Sequence, residues 1–233
     1  MSVDLGRGVR AIQTLRGEGA TPYGGFNLGM HVDDDPMRVQ GNRDRLATVF
    51  GAVPVFANQV HGTRVVTVER SDDQPGDADA LLTRTPNVPI GILTADCLPV
   101  LFCADETVAV AHAGWRGLAG GVLETVLAHL GDSKSIRVWL GPCIGASAFE
   151  VGPEVREIFV GKSHALGPLF TPSARADHFL ADLRGIACAL LEMHGIRGIE
   201  VSTACTYRDQ ADWYSYRREG VTGRMASCLM RTG

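Results

Sequence analysis

Thr107-Val108-Ala109-Val110-Ala111-His112-Ala113-Gly114-Trp115-Arg116-Gly117 joins a short apolar run to a glycine-punctuated turn, and what flanks it decides the fold. Val108–His112 reads as a buried strand, because a run of small and β-branched residues without polar alternation needs cover on both faces. Leu118, Val122, Val126 and Leu130 follow at helical spacing, so Leu118–Leu130 reads as one helix with a single apolar stripe. Ile136–Leu140 then returns to a short apolar run and reads as the next strand. Strand, helix and strand within about thirty residues indicate an α/β fold.

Working outward, Ile90–Thr94 is a further buried strand. Val53–Val60 and Thr63–Glu69 are β-rich runs separated by His61-Gly62, which predicts a hairpin or a sharp bend. Asp35-Pro36 resembles an N-cap followed by proline at the first helical position, and Val39, Arg43, Leu46 and Phe50 continue it as a helix over 36–50. Pro153–Val160 and Asp182–His194 are predicted helices, each closed by a glycine. Ile199–Thr203 and Met225–Met230 are late strands. With a hairpin among the strands, the sheet cannot be purely parallel. The expectation is a single-domain, mixed-sheet α/β fold over 1–233.

The chain has 233 residues, 45% hydrophobic and 21% charged, which suits a folded core rather than disorder. A net charge of −4 gives no basic footprint for nucleic acid. The longest apolar run, Val88–Cys103, is broken by Thr94, Asp96 and Pro99, so no membrane span is expected. The N-terminus lacks the apolar segment of a secretory signal, and the reading is a soluble, cytoplasmic protein. Six cysteines without any C-x-x-C pair then read as reduced thiols, most of them buried. No feature of the sequence fixes an oligomeric state.

Cys97 and His112 fall at the ends of predicted buried strands, and His61 at another strand end, where a rigid scaffold presents functional groups. Thiolate with imidazole suits zinc and also copper, and three protein ligands leave a fourth position open for chemistry. Seven histidines and six cysteines allow many such triples, so spacing alone does not single this one out. Asp96 precedes a candidate ligand and is a candidate general base; if the strand continues there, it points to the opposite face and serves instead to orient the turn. Gln59, two residues before His61, shares its side in an extended chain and is a candidate substrate contact. Gly114–Gly117 would aim backbone N–H groups and the Arg116 guanidinium at an anion near His112, or simply permit a tight turn. Arg43, beside the Asn27 loop, is a second candidate for phosphate or ribose. Asp77 and Asp79 alternate on one strand face or cap a loop. Cys205 lies near the site or is a buried thiol. Trp115 and Tyr216 could stack on a flat ring or pack in the core.

The contexts Asn58-Gln59-Val60-His61-Gly62, Thr94-Ala95-Asp96-Cys97-Leu98-Pro99-Val100 and Ala111-His112-Ala113-Gly114-Trp115-Arg116-Gly117 narrow the field. With Phe26-Asn27-Leu28-Gly29, Asp77-Ala78-Asp79-Ala80, Gly141-Pro142-Cys143-Ile144-Gly145, Cys205-Thr206-Tyr207, Ser215–Gly220 and Thr222–Met225, they closely resemble the laccase-domain family, named for multicopper polyphenol oxidases and better viewed as zinc-dependent purine nucleoside phosphorylases. The resemblance implies metal ligands at His61, Cys97 and His112, with zinc as the metal and copper as the alternative. It further implies substrate contacts that include Asn27, and phosphorolysis of purine nucleosides (adenosine, inosine, guanosine, methylthioadenosine) with adenosine deamination as a companion activity. Both reactions need an oxygen nucleophile made reactive near neutral pH, which a metal with an open position supplies. The partners are then a purine nucleoside and phosphate. A multicopper centre draws on many histidines in His-x-His pairs; the seven histidines here form none. The competing readings are a mononuclear copper oxidase acting on phenols, a peptidoglycan-precursor editing hydrolase using Cys97 with His112, and a metal-storage protein without turnover.

Overall fold

The apolar runs find their cover in four layers. The computed structural model describes residues 1–19, 21–131 and 135–233. In chain order the elements are β1 (Ser2–Val3), β2 (Val9–Gln13), α1 (Pro36–Phe50), β3 (Val65–Thr67), β4 (Ala80–Thr83), β5 (Ile90–Thr94), β6 (Leu98–Ala104) and β7 (Thr107–Ala113). There follow α2 (Trp115–Gly120), α3 (Val122–Leu130), β8 (Arg137–Leu140), β9 (Glu150–Val151), α4 (Pro153–Lys162) and a 3₁₀ turn at His164–Leu169. The chain ends with β10 (Phe170–Pro172), β11 (Phe179–Ala181), α5 (Leu183–Met193), β12 (Gly198–Val201), α6 (Tyr216–Glu219) and β13 (Met225–Arg231). A six-stranded mixed sheet runs β12-β8-β6-β7-β4-β3, with parallel pairs only at its two edges. An antiparallel sheet runs β1-β2-β13-β5, and a small one runs β10-β11-β9. The fold is mixed α/β, as the sequence indicates.

Strand alternation assigns the layers. Val100, Phe102, Ala109, Ala111 and Val138 point from the six-stranded sheet into the core under α3 and α5. Their neighbours Leu101, Val108, Val110 and Trp139 point the other way, onto Ile90, Ile92 and Leu229 of the four-stranded sheet. That sheet's far face, with Leu93, Ala226, Cys228 and Met230, is covered by Leu46 and Phe50 of α1. A sheet buried on both faces has no polar side, which is why its strands carry continuous apolar runs. No helix among the described residues is long and apolar enough to cross a membrane.

The helix over 36–50 forms with Asp35 as its N-cap, its side chain accepting from the Met37 amide, and Pro36 at the first position. Four expectations need correction. Val53–Val60 forms no strand and no hairpin, touching its neighbours only through isolated bridges at Val55 and Asn58. Backbone bonds at Val55 and Asn58 reach Pro89, Gly91, Gly76 and Ala78, and its side chains anchor the rest: Asn58 bonds Asp77, and Gln59 pairs with both backbone groups of Leu93. The single helix over 118–130 is two, broken at Gly121, whose φ of 97° lies in the left-handed region. The stripe survives the break, with Leu118, Val122 and Val126 all buried. Gly161 does not close α4, which runs through it to Lys162. Pro99 does not end the apolar run either: it lies inside β6 opposite His112, while its carbonyl accepts from Gly141.

The C-terminal segment that borders the site is tied to the N-terminal one through Glu219. Its carboxylate accepts from Arg16 and Arg218, both at 3.0 Å, and from the Thr222 hydroxyl at 2.6 Å. Burial pushes this carboxyl up, but the Thr222 and Arg218 bonds and the nearby Arg16 outweigh it and hold it below its ordinary 4.5. A depressed carboxyl contributes stability that is present above the unfolded value and lost as pH falls through the folded one. Denaturant midpoints measured against pH should therefore fall more steeply below pH 4.5 for the wild type than for Glu219→Gln.

Candidate metal centre and its cleft

β7 carries His112 as its penultimate residue, and its backbone N–H donates to the Asp79 carbonyl at 2.7 Å, just ahead of the β4 pairing. That register sets the Asp79 side chain against the His112 ring, with Oδ1 2.8 Å from Nδ1. Asp79 is fully buried and held below the ordinary carboxylate range: burial raises it, but His112 and backbone amides outweigh that. An ionised carboxylate only accepts, so Nδ1 keeps its proton and Nε2 is the nitrogen that can give up its own to act as a ligand.

The same carboxylate holds His61. Its oxygens accept the amides of Val60, His61 and Gly62 at 3.1, 2.9 and 2.6 Å. These bonds wrap the 60–62 turn around one anion and keep His61 at a φ of 61°. Cys97 arrives from the other side, on the turn between β5 and β6. Asp96, at a φ of 95°, makes that turn. It breaks the strand alternation, so Asp96 and Cys97 do share a wall.

The Cys97 sulfur lies 3.9 Å from His61 Nε2, and the donor atoms of His61, Cys97 and His112 all lie within 4.8 Å of one another. Tetrahedral Zn–N and Zn–S bonds of about 2.1 and 2.3 Å require donor separations of roughly 3.5 Å, so the set fits one metal ion after small movements. Gly114 makes room for it: a Cβ there would stand 3.0 Å from the Cys97 sulfur and 3.2 Å from the His61 ring. Burial raises the Cys97 thiol, yet the neighbouring His112 and His61 outweigh this and bring it down to about 6. Burial likewise lowers His112, but Cys97 and Asp79 together raise it to about 9. The chemistry is that of a thiolate beside two imidazoles, a donor set suited to zinc or copper. Among the described residues this is the one group of its kind.

The three residues open on a cleft of about 470 Å³ bordered also by His31, Asn58, Gln59, Leu93, Tyr216 and Arg224. Cys97 and Tyr216 also line an adjoining apolar recess of about 130 Å³ with Trp115, Ile144, Phe149 and Leu183. Gln59 borders the cleft with its amide tied to Leu93. Asp96 lines the recess, and its two oxygens accept from the Thr206 hydroxyl and the Arg217 amide, both at 2.6 Å. Asn27 stands behind the cleft, where its Oδ1 accepts from the amides of Gly29 and Arg224. Arg43 donates to the Leu28 carbonyl at 3.0 Å and lies over the Phe56 ring. Arg116 is exposed, lies over Trp115 and does not line the cleft. Cys205 is buried, its sulfur accepting from the Gly145 amide. Asp79 and Arg224 are the residues that sequence reasoning passed over. Asp79 was visible as one of two alternating acids, and Arg224 only within the Thr222–Met225 motif, with no local sign of its place in the cleft.

Residues 10–232 match the family model described as multi-copper polyphenol oxidoreductase laccase. A purine nucleoside phosphorylase of Pseudomonas aeruginosa is 46% identical over 95% of this chain and 93% of its own. The purine nucleoside phosphorylase YfiH of Escherichia coli is 42% identical over 96% and 94%. The crystal structure of a Neisseria meningitidis protein, 38% identical, superposes with a TM-score of 0.95 over 100% of this chain and 99% of that one.

If Asp79 fixes the ring and the turn together, Asp79→Asn should lower metal affinity about 10- to 100-fold, read by competition with a chromophoric chelator. Gly114→Ala should lower bound metal in the same assay while leaving the unfolding midpoint of the metal-free chain nearly unchanged. Full metal retention in both would remove Asp79 and Gly114 from the site's construction.

Proposed function

The chain belongs to the multi-copper polyphenol oxidoreductase laccase family, and we propose that it is a zinc-dependent purine nucleoside phosphorylase, releasing the base and ribose 1-phosphate. The observation that carries this is a three-donor site with an open side, set in a cleft whose volume suits a nucleoside. Relatives named purine nucleoside phosphorylase at 46% and 42% identity support it. Phosphorolysis moves ribose C1′ from N9 of the base to a phosphate oxygen, so the site must hold an anion and a purine on either side of C1′. A metal held by His61, Cys97 and His112 would supply Lewis acidity for the charge that develops.

The remaining work falls to the chain's own side chains. The apolar recess, with Trp115, Phe149 and Tyr216, offers flat surface to a purine. Gln59 and Asn58 give the cleft polar edges, and Gln59 is a substrate contact in this reading. Asp96, the candidate base, would have to give up the Thr206 or Arg217 bond to accept a substrate proton; while both last, it fixes the Cys97 turn. Asn27 acts through the Arg224 amide. Adenosine, inosine, guanosine and methylthioadenosine are the substrates proposed, with deamination of adenosine as a side activity.

One observation favours a second reading. Cys97, His112 and Asp79 also form a thiol–imidazole–carboxylate series, with the thiol brought down to about 6, as a cysteine hydrolase acting on a peptidoglycan precursor would require. His61 separates the two, since a thiol hydrolase has no need of it.

Purified protein with metal measured by mass spectrometry should carry about one zinc per chain, filling one three-ligand site. Hypoxanthine release from inosine should require phosphate. His61→Ala should abolish both the metal and the release. Base release without phosphate excludes phosphorolysis, and amide cleavage that persists in His61→Ala supports the hydrolase. Phenol oxidation that appears only on copper loading would belong to the family's older name. Ammonia from adenosine, measured in parallel, tests deamination.

A further inference from the structure

Two guanidinium groups that both act on His31, Arg224 and Arg43, form no ion pair with a carboxylate among the described residues. Arg224 lines the cleft beside His31, and its Nη1 donates to the carbonyls of Thr222 and Gly223 at 2.8 and 3.0 Å. Its Nε and Nη2 bond no protein acceptor among the described residues, and it joins no ion pair there. Arg43 is alike: Nε serves the Leu28 carbonyl, the plane lies 5.0 Å over Phe56, and no acid pairs with it among the described residues.

Burial lowers both guanidiniums from their ordinary value. His31 feels both: partial burial, then Arg224 and Arg43, push its pKa down. Cations drawn partly out of water cost free energy unless an anion meets them. Arg16 and Arg218, also partly buried, are by contrast paired with Glu219. Around His31 no such partner is present among the described residues, and Arg224 borders the same space as His61, Cys97 and His112, while Arg43 does not line it. A guanidinium presents paired N–H donors that match two oxygens of a phosphate.

We propose that Arg224, flanked by His31 and backed by Arg43, binds the phosphate co-substrate. This places the anion site away from the Gly114–Gly117 turn, whose Arg116 lies outside the cleft. The assignment rests on phosphorolysis as the reaction, because that reading makes phosphate the ligand.

The test uses metal-loaded protein and inorganic phosphate, read by calorimetry and, separately, as KM for phosphate and KM for inosine. Arg224→Gln should weaken phosphate binding and raise its KM about ten- to a hundredfold, the loss of hydrogen bonds to a charged group, with KM for inosine unchanged. Arg224→Lys should recover part of this, since it keeps the charge and loses the fork. Should Arg224→Gln fold poorly, His31→Gln carries the test, because His31 is exposed; it should shift phosphate in the same direction by a smaller factor. Unchanged phosphate affinity in Arg224→Gln and His31→Gln overturns the assignment even where the wild type performs phosphorolysis. Arg224-dependent phosphate binding with base release that ignores phosphate leaves the anion site standing and overturns the phosphorylase reading. Inosine 5′-monophosphate displacing phosphate more strongly than inosine does would give the charge to a nucleotide and overturn free phosphate as the ligand.

Discussion

The Asp79 carboxylate is a buried anion that must be answered, and answering it builds the site. It sits where β4 begins, and the chain offers it four donors: three successive amides of the 60–62 turn and the His112 ring. An isolated carboxylate so deep would cost several kcal/mol, so the turn and the ring are drawn to it from segments far apart in sequence. The sheet contributes the other half. Because His112 pairs through its backbone with Asp79, the register that forms the core also delivers the ring to the acid. Removing either contribution would leave the other without a fixed target.

The opposite wall depends on backbone strain rather than charge. Asp96 and His61 both occupy the left-handed region that side chains rarely adopt. At Asp96 the cost is offset by two short bonds, to Thr206 and to the Arg217 amide, that fasten the C-terminal segment across the turn. Cys97 is thereby turned out of its strand to face two imidazoles. The His112 ring and the thiol favour each other's charged forms, bringing the thiol down and His112 up despite burial. The candidate metal-binding set is thus preorganised from both sides.

The parts of this that sequence could carry are those in which local pattern and tertiary burial agree. Ile90–Thr94 and Val108–His112 were readable because a strand buried on both faces leaves a continuous apolar run. The helix over 36–50 was readable because Asp35 and Pro36 encode its start. Val53–Val60 misled for the converse reason: its valines mimic a strand, while only Val55 and Asn58 bridge to a neighbour and the rest is tied by side-chain bonds to Asp77, Leu93 and Asp79. The β6 strand was hidden by Pro99, which it tolerates because the missing N–H falls near the start of the strand. The ligand triple gained its weight from motif context, since spacing is blind to the register that unites residues 61, 97 and 112. Arg224 was legible only as part of the Thr222–Met225 motif, because its place in the cleft beside His31 exists only in three dimensions.

A family named for several coppers, and a candidate site that would hold one ion, are reconciled by where the other histidines go. His129 and His178 spend a ring nitrogen on nearby carbonyls of Thr125 and Ala176. His31 borders the cleft but stands among arginines, which oppose a cation at its ring. The field there runs from cationic at Arg43 and Arg224, beside His31, to electron-rich at Cys97 and Asp79. A second metal ion would be repelled at the first end, whereas a substrate that is anionic at one end and electrophilic at the other would be oriented along it. Copper binds nitrogen and sulfur donors more tightly than zinc, so its capture by such a site reports the donor set and not the chemistry. What separates the two chemistries is the polarity of the cleft, and that polarity suits an anion and a nucleoside better than a phenol and an electron.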